Sequence, residues 1–253
     1  MIEIPPGFVI RTEASKAAYH NGFRLERGVR NGWIGYASTT ASGEAWIAGA
    51  SDHGPWLLSV THPGVAVELG FRPVSPVIGP GVAAFAFTSL TELYSALDRA
   101  YRLGLSLPDH PLTQFETQTK GLPRTTEAER LRIERIGQDI FRRALLGYWN
   151  GRCPLTGVSD ASLLRASHIV RWADCLDDAH RLDVHNGLLL SALWDAAFDS
   201  GTVSFADDGS VLVSPALSHE AQIALKLGDG VRLQQLTGHH HQNLKRHREK
   251  YGF

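Results

Sequence analysis

A neutral imidazole can take a proton from water near pH 7, because its unperturbed pKa is about 6.5. His168 is placed for such work: it closes an apolar segment that includes Leu163 and Leu164, and Ile169 and Val170 follow it. Eighteen residues later Asn186-Gly187 opens a second apolar run, Leu188-Leu189-Leu190. A helical pattern then begins at Ser191 and carries Asp195 and Asp199 one turn apart. Residues four apart on a helix share a face, so both carboxylates project the same way and could share a cation. A base, an amide and a carboxylate pair therefore fall in order on a strand, a turn or strand, and a helix. Taken alone, His168 could be a buried, hydrogen-bonded histidine and Asn186-Gly187 an ordinary turn.

These residues need a frame. Thr126 offers an N-cap and Glu127 an early acid for a long helix running to about Gly147. Leu131, Ile133, Ile136, Ile140, Phe141, Ala144 and Leu145 mark its apolar face; Arg132, Arg135, Arg142 and Arg143 mostly mark another, either a solvated face or one that meets phosphate. Beyond the motif, residues 202–206 and 210–214 flank Asp207-Asp208-Gly209 and predict a hairpin. A short helix over 218–227 and a final helix over about 237–251 follow. The final helix holds His239, His240, His241 and His247. Adjacent helical positions point in different directions, so the triplet reads as a polar helix end rather than a metal site.

Four short segments carry a resemblance. They are Cys153-Pro154-Leu155-Thr156-Gly157, Ala166-Ser167-His168-Ile169, Asn186-Gly187-Leu188-Leu189-Leu190 and Phe198-Asp199-Ser200-Gly201. In this order they resemble the HNH endonuclease family, over about the C-terminal half of the chain from near Arg130. The resemblance implies a ββα-metal nuclease domain with His168 as general base and Asn186 fixing the orientation of the histidine. It also implies one divalent ion at Asp195, where the family usually carries a helical histidine or asparagine ligand. A carboxylate suits Mg²⁺ or Mn²⁺ better than zinc, with Ni²⁺ also compatible. Ser167 departs from the pattern, since many members carry an aspartate or second histidine there as first ligand. The remaining ligand is then His168 itself, His185, Asp183 or water. Asp199 either shares the ion or fixes the turn before Gly201. Cys153 sits at a zinc-knuckle position whose second cysteine is Thr156, so no structural zinc is expected and the segment reads as a turn.

Composition bounds the rest. The chain has 253 residues, 43% of them hydrophobic, with a net charge of −1. That charge argues against a generally basic coat for nucleic acid, so phosphate contacts would have to come from local clusters. The candidates are Arg142, Arg143 and Arg171 near the motif and Lys245, Arg246 and Arg248 near the end of the chain. No apolar run approaches the roughly 20 residues that span a bilayer. The start lacks the basic and apolar regions of a signal peptide, and two cysteines do not make a disulfide framework. A soluble cytoplasmic protein without membrane contact is the expectation.

The fold class predicted is α+β, with an N-terminal α+β domain of unknown family over 1–105, a linker over 106–126 and the HNH nuclease domain over 127–253. Asn31-Gly32 predicts a hairpin, residues 44–48 and 56–60 two more strands, and residues 89–102 a helix with Ser89 and Glu92 as a capping box. Trp33, Tyr36, Trp46 and Trp56 either fill the core of this sheet or form a surface on which bases stack. The function expected by resemblance is metal-dependent DNA cleavage in bacterial restriction or phage defence, with the N-terminal domain choosing or gating the target. A homodimer is one route to cutting both strands. The alternative is a non-catalytic protein that keeps the ββα element as a DNA-docking module.

Overall fold

Asn31 and Gly32 turn the chain with φ of 49° and 84°, the left-handed pair that a tight hairpin turn requires. The turn joins β1 (Leu25–Arg30) to β2 (Trp33–Ala37) in a computed structural model that describes residues 2–76, 79–228 and 230–253. The chain divides into two units, Met1–His110 and Pro111–Phe253. In the first, β3 (Glu44–Gly49), β4 (Trp56–Val60) and β5 (Ala83–Phe87) extend the hairpin into an antiparallel sheet in sequence order. Two helices pack against the sheet, α1 (Phe8–His20) and α3 (Leu90–Ser106), with the short α2 (Pro63–Glu68) between strands β4 and β5 in sequence. Ser89 and Glu92 cap α3 reciprocally.

Side chains alternate between the faces of a strand. One face therefore gathers Trp33, Trp46, Ala48, Leu57 and Ala84, and Trp56 stands opposite Phe87 on the other. Trp33, Trp46 and Trp56 are 1%, 4% and 2% exposed, so they are core and not a stacking platform. The edge strand β1 is exposed along its length and bulges at Gly28, which blunts it against pairing with another chain.

The second unit is organised on one long helix. α4 (Asp109–Thr119) precedes it and corrects the expectation of a linker over 106–126, because Pro111, Phe115 and Thr119, four apart, bury one stripe of a regular helix. α5 (Glu127–Tyr148) starts at a reciprocal box between Thr126 and Glu129 and buries Ile133, Gly137, Ile140, Phe141, Ala144 and Leu145. Against it lie β6 (Leu164–His168) and β7 (Gly187–Ser191), antiparallel, with His168 paired to Gly187. Between these strands runs the short helix α6 (Asp178–Leu182), and after them comes α7 (Ala192–Asp199). The small hairpin of β8 (Val203–Phe205) and β9 (Val211–Val213), α8 (His219–Ala224) and α9 (Gly238–Tyr251) complete the unit.

Helix α9 is not a polar end. His240 and His247 are 0% and 4% exposed and form one buried stripe with Asn243 and Leu244. His247 stacks on Phe198 at 4.0 Å and 4°. Its Nε2 lies 3.1 Å from the Phe198 carbonyl oxygen and its Nδ1 2.9 Å from the Ser204 hydroxyl. Cys153 begins a turn in which its carbonyl accepts from Gly157 N–H, and Gly157 takes the left-handed φ of 73° that closes it. No helix among the described residues is long and apolar enough to cross a membrane.

Candidate active site

The last residue of β6 carries the histidine, and α5 supplies its walls. The His168 ring stacks on Phe141 with centroids 3.8 Å apart and planes 15° off parallel, and Trp172 meets it edge-on at 5.6 Å. Both neighbours depend on glycines. A Cβ at Gly187 would stand 2.5 Å from the Phe141 ring, and one at Gly137 would stand 2.5 Å from the Trp172 ring. Nε2 of His168 lies 2.9 Å from the carbonyl oxygen of Arg181. That carbonyl is free to accept because the last carbonyls of a helix, here the short α6, have no partner within it. A carbonyl cannot donate, so Nε2 carries the hydrogen and the neutral ring keeps its lone pair on Nδ1. Burial lowers the His168 pKa to about 4, with the Arg181 carbonyl opposing and His180 adding slightly. At pH 7 the ring is therefore neutral, with Nδ1 as its basic atom.

The side-chain hydrogen bonds of Asn186 go to the segment after β6 and to α6. The residue is fully buried, and its side chain makes no bond to the His168 ring. Oδ1 accepts from Val170 N–H at 2.8 Å, and Nδ2 reaches the Val170 carbonyl at 3.1 Å, the Cys175 sulfur at 3.3 Å and the His180 carbonyl at 3.3 Å. It thus clamps the loop that runs from β6 to α6, and this loop sets where the Arg181 carbonyl meets the ring. Orientation passes through the backbone. Replacing Asn186 with Ala would leave the Val170 N–H buried without its partner. The expected loss is about 2–3 kcal/mol of unfolding free energy, read from urea denaturation at unchanged slope.

The carboxylates lie on α7 as the spacing predicted. Burial raises the Asp195 pKa, the neighbouring Ser167 hydroxyl opposes this, and the charge of Asp199 raises it further. Two carboxylates that repel each other suit a cation between or beside them. The Asp199 carboxylate meets Arg171 Nε at 3.4 Å. The turn before Gly201 is made instead by Ser200 and Thr202, whose hydroxyls both donate to the Ala197 carbonyl. His185 and Asp183 bond to each other at 2.8 Å, and the His185 ring faces Tyr148, His239 and His240, a cluster that does not include His168. Burial alone would raise the Asp183 carboxyl, but His185 outweighs it and holds the pKa below the usual value. Among the described residues no group of three or more His, Cys, Asp or Glu side chains is arranged to hold a metal. By donor type, Asp195 beside Ser167 suits an ion of the Mg²⁺ type, which uses one or two carboxylates and completes its shell with water and substrate phosphate, while the Asp199 carboxylate is shared with Arg171. The set does not fit a closed all-protein cage.

A pocket of about 200 Å³ opens beside the histidine, lined by His168, Arg171, Asp174, Asp199 and, from α9, Arg246, His247, Lys250 and Tyr251 among others. The arginines and lysines singled out in the sequence separate clearly around it. Arg142 is occupied by the carbonyls of Leu164 and Ala161, and Arg248 by the Phe205 carbonyl and Asp207. Lys245 faces Glu249 on its own helix, and Arg143 is exposed on α5. Only Arg171 and Arg246 of the six line the pocket. Phe141, Trp172, Arg181, Asp174 and Tyr251 escaped sequence reasoning as site residues. Phe141 did carry a signal, an aromatic on the apolar face of the helix beside the motif, but it pointed to the core.

A family model described as HNH endonuclease matches residues 153–206. Those residues span β6, the loop held by Asn186, β7, α7 and the first strand of the hairpin after it. No curated protein matches the chain. The strands and helix around His168 lie within the matched range, and the C-terminal part of this chain carries an HNH endonuclease domain.

Proposed function

We propose that this protein is a metal-dependent endonuclease that hydrolyses DNA phosphodiester bonds. The observation that carries the reading is the fixed tautomer of His168, neutral at pH 7 with Nδ1 free of partners among the described residues, beside a pocket walled by Arg171, Arg246 and Lys250. Nδ1 of His168 takes a proton from the attacking water. The pocket cations neutralise phosphate charge and hold the strand against the base. Asp195, with Asp199 and Ser167, holds the divalent ion, Mg²⁺ or Mn²⁺ with Ni²⁺ also accepted. When bound, such an ion would polarise the phosphate and stabilise the departing alkoxide. A separate N-terminal unit joined to an HNH domain resembles the layout of bacterial restriction and phage-defence nucleases, and target choice by that unit is part of the proposal.

A second reading is a non-catalytic DNA-binding protein that keeps the ββα element for docking. Ser167 in place of a ligand and the lack, among the described residues, of a three-ligand group favour it. Incubation of supercoiled plasmid with purified protein in Mg²⁺, Mn²⁺, Ni²⁺ or EDTA separates the two. Nicking in a divalent ion, lost in EDTA and reduced at least about 100-fold in Asp195→Asn, is the expected result. DNA binding without nicking in any ion would establish the docking module.

A further inference from the structure

Helix α9 lies outside the 153–206 segment that the family match covers, yet it forms one wall of the pocket that holds His168. Its register is fixed by its buried stripe. The stripe His240, Asn243, Leu244 and His247 is buried, the Asn243 amide donates to the His185 carbonyl, and His247 is held by Phe198 and Ser204. That docking leaves Arg246, Lys250 and Tyr251 lining the cavity. Arg246 is exposed and has no hydrogen-bond or ion-pair partner among the described residues. Lys250 does have one: its ammonium lies 2.6 Å from the carboxylate of Asp174, on the loop after β6, and both side chains are about half exposed at 43% and 50%.

An ion pair between exposed groups contributes little and exchanges easily for another anion. Asp174 also lines the pocket, so its carboxylate occupies the space where a phosphate would meet Lys250. Lys250 holds the Asp174 pKa below its ordinary value by hydrogen bond and charge.

We propose that α9 provides a seat for one phosphate of the DNA backbone beside His168, built from Arg246 and Lys250, and that Asp174 is an internal competitor which the phosphate displaces. This rests on the reading of the domain as DNA-binding, and adds that residues outside the matched segment set its affinity. The two members of one ion pair then act in opposite directions. Lys250→Ala and Arg246→Ala each weaken binding, whereas Asp174→Asn strengthens it by releasing Lys250.

The test is binding of a fluorescent DNA duplex by the full chain in EDTA, across 50–200 mM salt. Lys250→Ala and Arg246→Ala are each expected to weaken binding on the order of 10-fold and to reduce the salt slope by about one phosphate contact. Asp174→Asn is expected to tighten binding several-fold, more than Glu249→Gln, which changes net charge equally but lies outside the pocket lining. Weaker or unchanged binding in Asp174→Asn would overturn the seat and leave the pair as a brace between α9 and the loop. Equal tightening in Glu249→Gln would overturn it too. Plasmid cleavage separates this from the hydrolytic reading. Binding with the opposite-signed pattern but no cleavage overturns hydrolysis and supports the seat; cleavage with neither binding effect overturns the seat alone.

Discussion

Replacing His168 with Ala is expected to reduce plasmid nicking by a factor of about 10²–10⁴, the range that positioned general bases contribute. The DNA affinity should change little, because the pocket cations come from Arg171, Arg246 and Lys250 and not from the imidazole. Truncation to Ala also opens a cavity beside Phe141, so His168→Gln is the companion variant. Its amide can still donate to the Arg181 carbonyl and lies against Phe141, but it has no basic nitrogen. Equal loss in both variants at retained affinity identifies the base. Substantial nicking by either would remove His168 from the reaction. The low pKa makes a further mark on the wild type. With His168 neutral down to about pH 4, no fall in rate centred near 6.5 should come from this group. A base of that strength is weaker than a free imidazole, and fixed placement against the substrate must offset this.

Much of this arrangement was legible in the residues. Short-range chemistry wrote itself plainly: Asn31-Gly32 turned, Ser89 and Thr126 capped, and the apolar stripe of α5 was buried at Ile133, Ile140, Phe141, Ala144 and Leu145, with Ile136 half-buried and Leu131 exposed. The strand, strand and helix around His168, Asn186 and Asp195 followed from two apolar runs and one helical pattern. The failures share one physical cause. α1 buries Ile10 with three alanines, so it lacked the strong apolar stripe that announces a helix. α4 hides its stripe among threonines and a proline.

Partnerships across long sequence separations could not be read at all. Arg181 reaches His168 through its main-chain carbonyl, an atom every residue possesses, so no residue type marks it. Asn186 could have bonded the ring or the backbone, and its side chain reaches Val170 and Cys175 on the loop after β6 and the His180 carbonyl in α6. The arginines were visible as a cluster, but which were committed to carbonyls depended on packing. Arg142 and Arg248 brace the fold, Arg171 lines the pocket while holding the Asp199 carbonyl, and Arg246 lines it free of such a bond among the described residues. His247 shows the same limit in reverse. Its polarity suggested a helix end, yet shape and two hydrogen bonds make it a core residue against Phe198.

That packing of two histidines predicts how the second unit responds to acid. His168 and His247 are both held at about pKa 4, chiefly by burial, against an unfolded value near 6.5. Between those values the unfolded chain binds protons that the folded one does not, so stability rises with pH across the window. The contribution is complete above pH 6.5 and is lost as pH falls towards 4, by up to roughly 3 kcal/mol for each group. The lowered pKa values of Asp174 and Asp183 act in a separate window, below the ordinary carboxylate value. Urea denaturation at pH 7, 6, 5 and 4.5, followed by tryptophan fluorescence, reads the effect directly. Trp172 touches His168 and reports on this unit. The expected midpoint falls steadily from pH 7, with most of the change between 6.5 and 4.5. In His247→Gln the neutral-pH stability is lower but the dependence is shallower, because one titrating group is gone. A midpoint that stays level from pH 7 to 5 would mean that neither ring is held neutral, and with it the assignment of Nδ1 as a free base at His168 would lose its footing.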